Sequence, residues 1–455
     1  MAKKKKVQEE WSHKDIYKGV LSKIEEKYGE QARNPYEDIH STRLSTGSLV
    51  LDLTVGGGIP SGKWITVYGP ESSGKSTVLY HLIKSALDAD IPNILMFDYE
   101  NSLETRFFEN IVKQPTSELF GELDEDGGMN KNARIRYLTP QTGEIFFRIL
   151  SALLDKLPDV VTKGDDRYLR FTKEQAEAAD IPEKFIAFKS PKHRYVKDVG
   201  HPIKILALID SYPEMTPAAF LADPSKSPMA LQARMFSNGI PLLRPRMLAK
   251  GLIVVGLNHI RLNPNTMFGS PEYDPCGVHL KMASDIRVRI GSVAIPHGKG
   301  RIEEEKSLFG NSERFGYSKI KTYKNKTFPK DKEGIIRICF ESDGLSGYGI
   351  DPVWDTFEYL KLTQQITKRG DKVKLTLPGP WENIALTWDD LRWLVYNPVR
   401  KEVLTKLMSS EAVKKIIATK VKPKTKVKRL NNLLDLRKAC FNQILTKAAF
   451  KLTVK

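Results

Sequence analysis

Gly69-Pro70-Glu71-Ser72-Ser73-Gly74-Lys75-Ser76, followed by Thr77, reads G-x-x-x-x-G-K-[ST]. Two glycines at that spacing let the backbone curl so that successive N–H groups point inward at phosphate oxygens, which is the geometry of a phosphate-binding loop. Lys75 adds a mobile cation for the β- and γ-phosphates, and Ser76 offers a hydroxyl to Mg2+. The flanks supply the context that such a match requires. Trp64-Ile65-Thr66-Val67-Tyr68 is a short apolar run rich in β-formers, suited to a buried strand. After the loop, Val78, Leu79, Leu82, Ile83 and Ala86 recur at helical spacing, so a helix N-terminus adds its dipole and free N–H groups to the anion site. Nucleotide binding follows from these residues alone.

Two further strands end in acids. Ile94 to Phe97 is apolar and runs into Asp98-Tyr99-Glu100; Ile203 to Ile209, hydrophobic apart from Lys204, runs into Asp210-Ser211. Carboxylates at the carboxyl ends of strands in an open α/β sheet sit where ligands bind. Glu100 is therefore a candidate general base for water attacking the γ-phosphate, with a capping role as the alternative for either Asp98 or Glu100. Asp210 completes a Walker B pattern and can hold Mg2+ through water opposite Ser76. Leu252 to Leu257 is another buried strand, ending at Asn258-His259, and Glu144 to Leu157 carries a helical apolar stripe. The alternation of strands and helices predicts an α/β fold with a mostly parallel, helix-covered sheet.

The bulk numbers agree with an intracellular globular protein. The 455 residues are 40% hydrophobic and 28% charged. No apolar run approaches the roughly 20 residues needed to span a bilayer, and no apolar signal core follows the N-terminal lysines. Cys276, Cys339 and Cys440 are too scattered for a local zinc-ligand pattern. A formal net charge of +17 favours an anionic partner, most often nucleic acid, with colloidal solubility as the bland alternative.

Three regions follow from the patterning: a basic tail with an amphipathic helix over 1–42, a nucleotide-binding core over 43–348, and a C-terminal region over 349–455. Lys3 to Lys6 read as a solvated tail, which could also touch phosphates or act as a nuclear import signal. Ile16, Val20, Leu21, Ile24 and Tyr28 form one helical face outside the core, suited to packing on a neighbouring subunit. Gly121 to Asn132 reads as an acidic surface loop. Between about 159 and 202 the pattern dissolves into charged residues punctuated by prolines, as in an insertion that supplies an extra DNA- or partner-binding element. Trp388, Leu391 and Trp393, within Trp381 to Leu394, suggest a small helical domain; Lys414 to Lys428 is basic and a leucine-marked helix follows.

These residues resemble the bacterial RecA recombinase family. The likeness rests on Leu44-Ser45-Thr46-Gly47-Ser48-Leu49 with Leu51-Asp52, on Tyr68 through Thr77, on Asp98-Tyr99-Glu100, and on Pro140-Gln141-Thr142-Gly143-Glu144. Ala233-Arg234-Met235, Asn258-His259-Ile260-Arg261 and Met267-Phe268-Gly269-Ser270-Pro271-Glu272 continue it in the same order. It covers roughly residues 14 to 350, the insertion excluded. Gly349-Ile350-Asp351-Pro352, among other departures, looks more like phage relatives of the UvsX type.

The resemblance implies a RecA-like ATPase core, an N-terminal oligomerisation helix and a small C-terminal domain. It makes Glu100 the catalytic glutamate and places Glu104 and Phe107 beside the adenine. It implies DNA contacts by Lys226 and Met229 in a first loop (residues 223–230), by Arg234 and Ser237 on the helix after it, and by Arg261, Met267 and Phe268 in a second (260–276). Lys324 and Lys326 match two lysines that reach the neighbouring subunit's ATP. His259 replaces a γ-phosphate-sensing glutamine, Met282 a phenylalanine that couples subunits, and Pro264 an apolar wedge; the basic C-terminus stands where the family has an acidic tail.

The implied activity is DNA-dependent ATP hydrolysis with Mg2+, coupled to strand exchange between single-stranded DNA in a helical homo-oligomeric filament and a homologous duplex. Single-strand-binding or loading proteins are further candidate partners. The implied location is the cytoplasm, in a phage-infected host, with no membrane partner. A ring helicase on the same core and a non-hydrolysing DNA-binding scaffold are the rival readings.

Overall fold

The structure is a computed structural model; it describes residues 42–121, 133–262, 272–273, 275–293, 315–340, 348–364, 366–369, 372–376 and 382–387. The N-terminal helix, Met267, Phe268, Pro264 and the basic C-terminal segment lie outside these residues.

A nine-stranded sheet organises the chain. In chain order its strands are β1 (Trp64–Gly69), β2 (Asn93–Asp98), β3 (Ile135–Leu138), β4 (Ile205–Asp210), β5 (Leu252–His259), β6 (Ile286–Ser292), β7 (Phe315–Asn325), β8 (Glu333–Cys339) and β9 (Gly349–Ile350). The spatial order is β9-β8-β7-β6-β1-β5-β4-β2-β3. From β6 to β3 every pairing is parallel, and β7, β8 and β9 extend the other edge antiparallel.

The central strands are apolar on both faces because helices cover both. Alternate residues feed two cores: Ile94, Met96, Leu206, Leu208, Ile253 and Val255 point to one, and Leu95, Phe97, Ile205, Ala207, Leu252 and Val254 to the other. Helices α1 (Leu49–Val55), α2 (Lys75–Asp88) and α3 (Thr105–Val112) pack on the first face; α4 (Gly143–Lys156) and α5 (Pro228–Met247) pack on the second. Burying a leucine or isoleucine is worth about 1.5–3 kcal/mol, so each alternating strand locks its own register.

Residues 159–197 form a separate four-stranded antiparallel sheet with strands Asp159–Lys163, Asp166–Thr172, Ile186–Lys189 and His193–Lys197. Helix Lys173–Ala178 is fixed there by a capping box between Thr172 and Gln175. The charged residues that break the apolar pattern in this stretch sit on half-exposed strands.

One expectation is corrected. Glu382–Thr387 is a strand, paired to Lys372–Thr376 in a three-stranded sheet, and not the start of a helix. The tryptophan and leucine spacing that suggested a helix begins at Trp388, beyond the described residues.

Candidate active site

The phosphate loop joins the end of β1 to α2, and two glycines make the turn possible. A Cβ on Gly69 would lie 1.9 Å from the Ile290 carbonyl oxygen, and Gly74 has φ +89° with Ile338 against the position of its missing side chain. Ser73 donates to the Pro70 carbonyl at 2.8 Å, and Ser318 on β7 donates to the Ser73 carbonyl at 2.9 Å, so the loop is braced from the antiparallel edge. Lys75 is buried, and its Nζ donates to the Pro70 carbonyl at 2.7 Å. Burial lowers its pKa, and the anionic Asp210, Glu100 and Glu71 oppose that shift. Glu71 and Ser72 are exposed on the loop, and Thr77 is buried in the first turn of α2.

Asp210 ends β4 and accepts from Ser76 Oγ at 3.0 Å. Burial pushes its carboxyl up to about 7, and the charges of Glu100 and Asp98 add to the shift. A divalent cation would relieve that cost by favouring the carboxylate. The paired hydroxyl of Ser76 and buried carboxyl of Asp210 are hard oxygen donors of the kind that suit Mg2+ in a site completed by phosphate oxygens and water.

The two acids after β2 have different tasks. Asp98 is buried and accepts from the backbone N–H groups of Glu100 (3.0 Å) and Ser102 (3.1 Å) and from the Tyr137 hydroxyl (2.7 Å). It shapes the turn that presents Glu100. Glu100 remains accessible; it accepts from Ser211 Oγ and meets His259 Nε2 at 3.0 Å. The hydrogen bond from His259 holds the Glu100 carboxyl below the usual range against its own burial, with Ser211 and Lys75 contributing. His259 ends β5 beside Gly69 on one side, and on the other side β5 and β2 flank β4, which brings His259, Ser211 and Glu100 together.

Glu104 caps its own helix, accepting from the Phe107 N–H. Phe107 is half-buried beside Tyr80, Phe340 and Tyr348, its ring stacked on Phe340 at 6.5 Å. The sequence reading missed Phe340 and Tyr348, which lie more than 200 residues along the chain and share no motif with Phe107. It also missed Ser211 and Tyr137; only the strand-end position of Ser211 could have signalled it.

The first candidate DNA loop is a polar surface turn. Lys226 pairs with Asp223 at 3.5 Å, and Met229 is 56% exposed. Gln232 anchors the turn, its amide donating to the carbonyls of Tyr212 (3.0 Å) and Pro213 (2.9 Å) beyond β4. Arg234 is exposed, and Ser237 donates back to the Arg234 carbonyl at 2.9 Å. Arg261 is exposed on a two-residue strand, Arg261–Leu262, that pairs antiparallel with Glu272–Tyr273 and so closes the base of the second loop.

Lys324 and Lys326 are not near the phosphate loop of their own chain. Lys324 pairs with Arg287, which pairs with Thr66, and the Lys326 N–H donates to the Asp285 carbonyl, just before Ile286. Across the sheet from β1, Lys324 is level with Thr66 and Lys326 with Trp64, three to five residues of strand back from Gly69, or roughly 10–17 Å along the strand direction. Lys324 Nζ donates to the carbonyls of Lys281 (3.1 Å) and Met282 (2.7 Å) at the C-terminus of helix α6 (Gly277–Ala283), and Lys326 pairs with Asp285 at 3.3 Å. Burial and the neighbouring Lys326 lower the Lys324 pKa. On the same helix Val278 and Met282 are each 67% exposed.

Comparison with known proteins bears on this arrangement. A sequence model of the RecA N-terminal domain matches residues 15–122 and 200–346. The chain is 26% identical over 337 residues to Protein RecA of Wolbachia sp. subsp. Drosophila simulans (strain wRi), covering 72% of this chain and 73% of the relative. It is 25% identical over 398 residues to Protein RecA of Prochlorococcus marinus (strain NATL1A), covering 86% and 83%. A crystal structure of the RadB recombinase aligns with 65% of this chain and 96% of its own length, at 16% identity and a TM-score of 0.37. Among the described residues no helix is long and apolar enough to cross a membrane. With the family model matching more than half of its residues, and with a phosphate loop, Glu100 and Asp210 gathered at the carboxyl ends of a mostly parallel sheet, the chain belongs to the RecA family.

Proposed function

We propose that this protein is an ATP-dependent recombinase that forms a filament on single-stranded DNA and pairs it with a homologous duplex. The observation that carries the reading is the separation of the two halves of the ATP site. The phosphate loop, Ser76, Asp210 and Glu100 lie at the carboxyl ends of the central strands, and Lys324 and Lys326 lie three to five residues back from that level on a strand two places away. That separation supports a reading in which the two lysines act on the γ-phosphate of a neighbour's ATP.

Bound Mg-ATP supplies the electrophilic phosphorus and the charge that the site must stabilise. The loop's backbone N–H groups and Lys75 orient the phosphates, and Ser76 with Asp210 holds the cation. Glu100, kept ionised by His259 and Ser211, takes the proton of the attacking water. Glu104 and Phe107 flank the adenine. Lys226, Met229, Arg234, Ser237 and Arg261, with Met267 and Phe268, form the DNA surface: cations meet phosphates, and apolar side chains part unstacked bases.

Electron microscopy with single-stranded DNA and a non-hydrolysable ATP analogue tests this. An open helical filament is expected, together with DNA-stimulated ATP turnover in solution. A closed ring on DNA would replace this reading with that of a helicase.

A further inference from the structure

The family match stops at residue 122 and resumes at 200, so the small sheet over 159–197 is not explained by the site above. Its charge is sorted. From Lys184 to Lys197 there are five cations, Lys184, Lys189, Lys192, Arg194 and Lys197, and no acid. The acids of the insert precede this stretch, at Asp159, Asp165, Asp166, Glu174, Glu177, Asp180 and Glu183, where they are mixed with the cations Lys163, Arg167, Arg170 and Lys173.

The basic stretch is the hairpin of strands Ile186–Lys189 and His193–Lys197. It is rigid and aromatic. Phe188 stacks on Tyr195 at 4.3 Å and 16°, Tyr168 meets Phe188 edge-on at 5.0 Å, and Lys163 sits 4.4 Å from the Phe188 ring centre. Arg194 Nη1 braces the turn by donating to the Ser190 and His193 carbonyls. Phe185, at the entrance to the hairpin, is 55% exposed with Lys184 over its ring. The ion pairs here, Lys189 with Glu183 and Lys197 with Asp166, are exposed, so exchanging their carboxylates for phosphates costs little.

The hairpin is also remote from the candidate DNA loops. The insert is tied to the amino ends of the central strands by Val160 N–H to the Ala249 carbonyl, Lys204 N–H to the Gly251 carbonyl, and Lys250 to Asp159 at 2.9 Å. The loops leave the carboxyl ends of β4 and β5, about 20 Å away along a six-residue strand.

We propose that the hairpin over 184–197 is a second nucleic-acid surface, which binds single-stranded nucleic acid by stacking a base on Phe185 and holding phosphates with Lys184, Lys189, Lys192 and Lys197. It works without ATP, because no part of it touches the nucleotide site. It stands whether or not the filament reading does.

Fluorescence anisotropy of a labelled oligothymidylate with the full chain, without nucleotide and across a salt series, tests it. Lys184→Glu/Lys189→Glu/Lys192→Glu should weaken binding at least about tenfold and flatten the log–log salt slope by about 2, the value for three phosphates on a single strand. Phe185→Ala should weaken binding about tenfold with the slope unchanged, because stacking releases no counterions. Both variants should bind ATP as the parent does. Photocrosslinks from 4-thiothymidine should map to residues 184–197. Parental affinity in both variants, crosslinks confined to other segments, or an effect on duplex binding alone would overturn the assignment.

Discussion

Replacing Lys324 and Lys326 by alanine should stop DNA-stimulated hydrolysis while sparing nucleotide binding, and the reason is positional. Lys324 and Lys326 sit three to five residues back from the level of Gly69, two strands across from β1, and Lys324 is tethered to the last carbonyls of α6. To serve a neighbour, Lys324 leaves two charge-assisted hydrogen bonds worth at most about 1.5–3 kcal/mol each, a cost that approaching phosphates must offset. A cation delivered in trans to a transferring phosphoryl group contributes about 10³–10⁵ in kcat, so the double variant should fall by at least about 1,000-fold. The decisive assay mixes it with Lys75→Ala, whose lysines are intact but whose phosphate loop is disabled. Each variant alone is inactive, yet in an equal mixture a good loop meets good lysines at about one junction in four, giving roughly a quarter of parental turnover if trans action holds. A mixture that stays at background while both variants assemble on DNA would refute the argument, as would loss of nucleotide binding by the lysine variant.

Glu100→Gln should retain ATP and DNA binding while hydrolysis drops at least about 100-fold, measured by phosphate release; an active variant would remove Glu100 from the role of base. His259→Ala should move the acid limb of the ATPase pH profile upward, because the hydrogen bond from His259 is the leading cause of the lowered Glu100 pKa; an unmoved limb would show that the pair does not tune the base. Asp52 offers a stability test. It is fully buried, and burial raises its carboxyl from 3.8 to about 6 despite bonds from Ser45 and Thr46. Its protonated form favours the fold, so that contribution is complete below about pH 4 and is lost as pH rises through about 6, a swing of ~3 kcal/mol. Asp52→Asn should reduce the loss of stability between pH 4 and pH 7 in urea unfolding by about that amount, leaving the part that Asp210 contributes, and an equal pH dependence in both proteins would contradict it.

The phosphate loop, the strands around it and their terminal acids were legible because each is local. A strand, a turn and a helix in one short stretch leave few alternatives, and buried parallel strands must be apolar throughout. The division of labour between Asp98 and Glu100 was not legible, since it depends on Tyr137 and Ser211 arriving from other strands. Neither was the link between His259 and Glu100, which are 159 positions apart and meet because β5 and β2 flank β4 on either side. The insert escaped for another reason: its half-exposed strands carry charge on positions that a buried strand would keep apolar, so period-two patterning is masked. Glu382–Thr387 was misread because helical spacing beyond it was extended backwards over a strand.

The separation of the phosphate loop from the lysine pair on one sheet also bears on how copies of the chain can meet. A two-fold related pair that set loop against lysine would make that contact twice and close on itself, with no site left for a third copy. A head-to-tail contact instead joins one loop to one lysine pair, and unless a ring closes it leaves one free site of each kind. Growth by this contact carries no internal stopping rule. Where the rotation between copies does not close, the contact itself sets no length for the assembly.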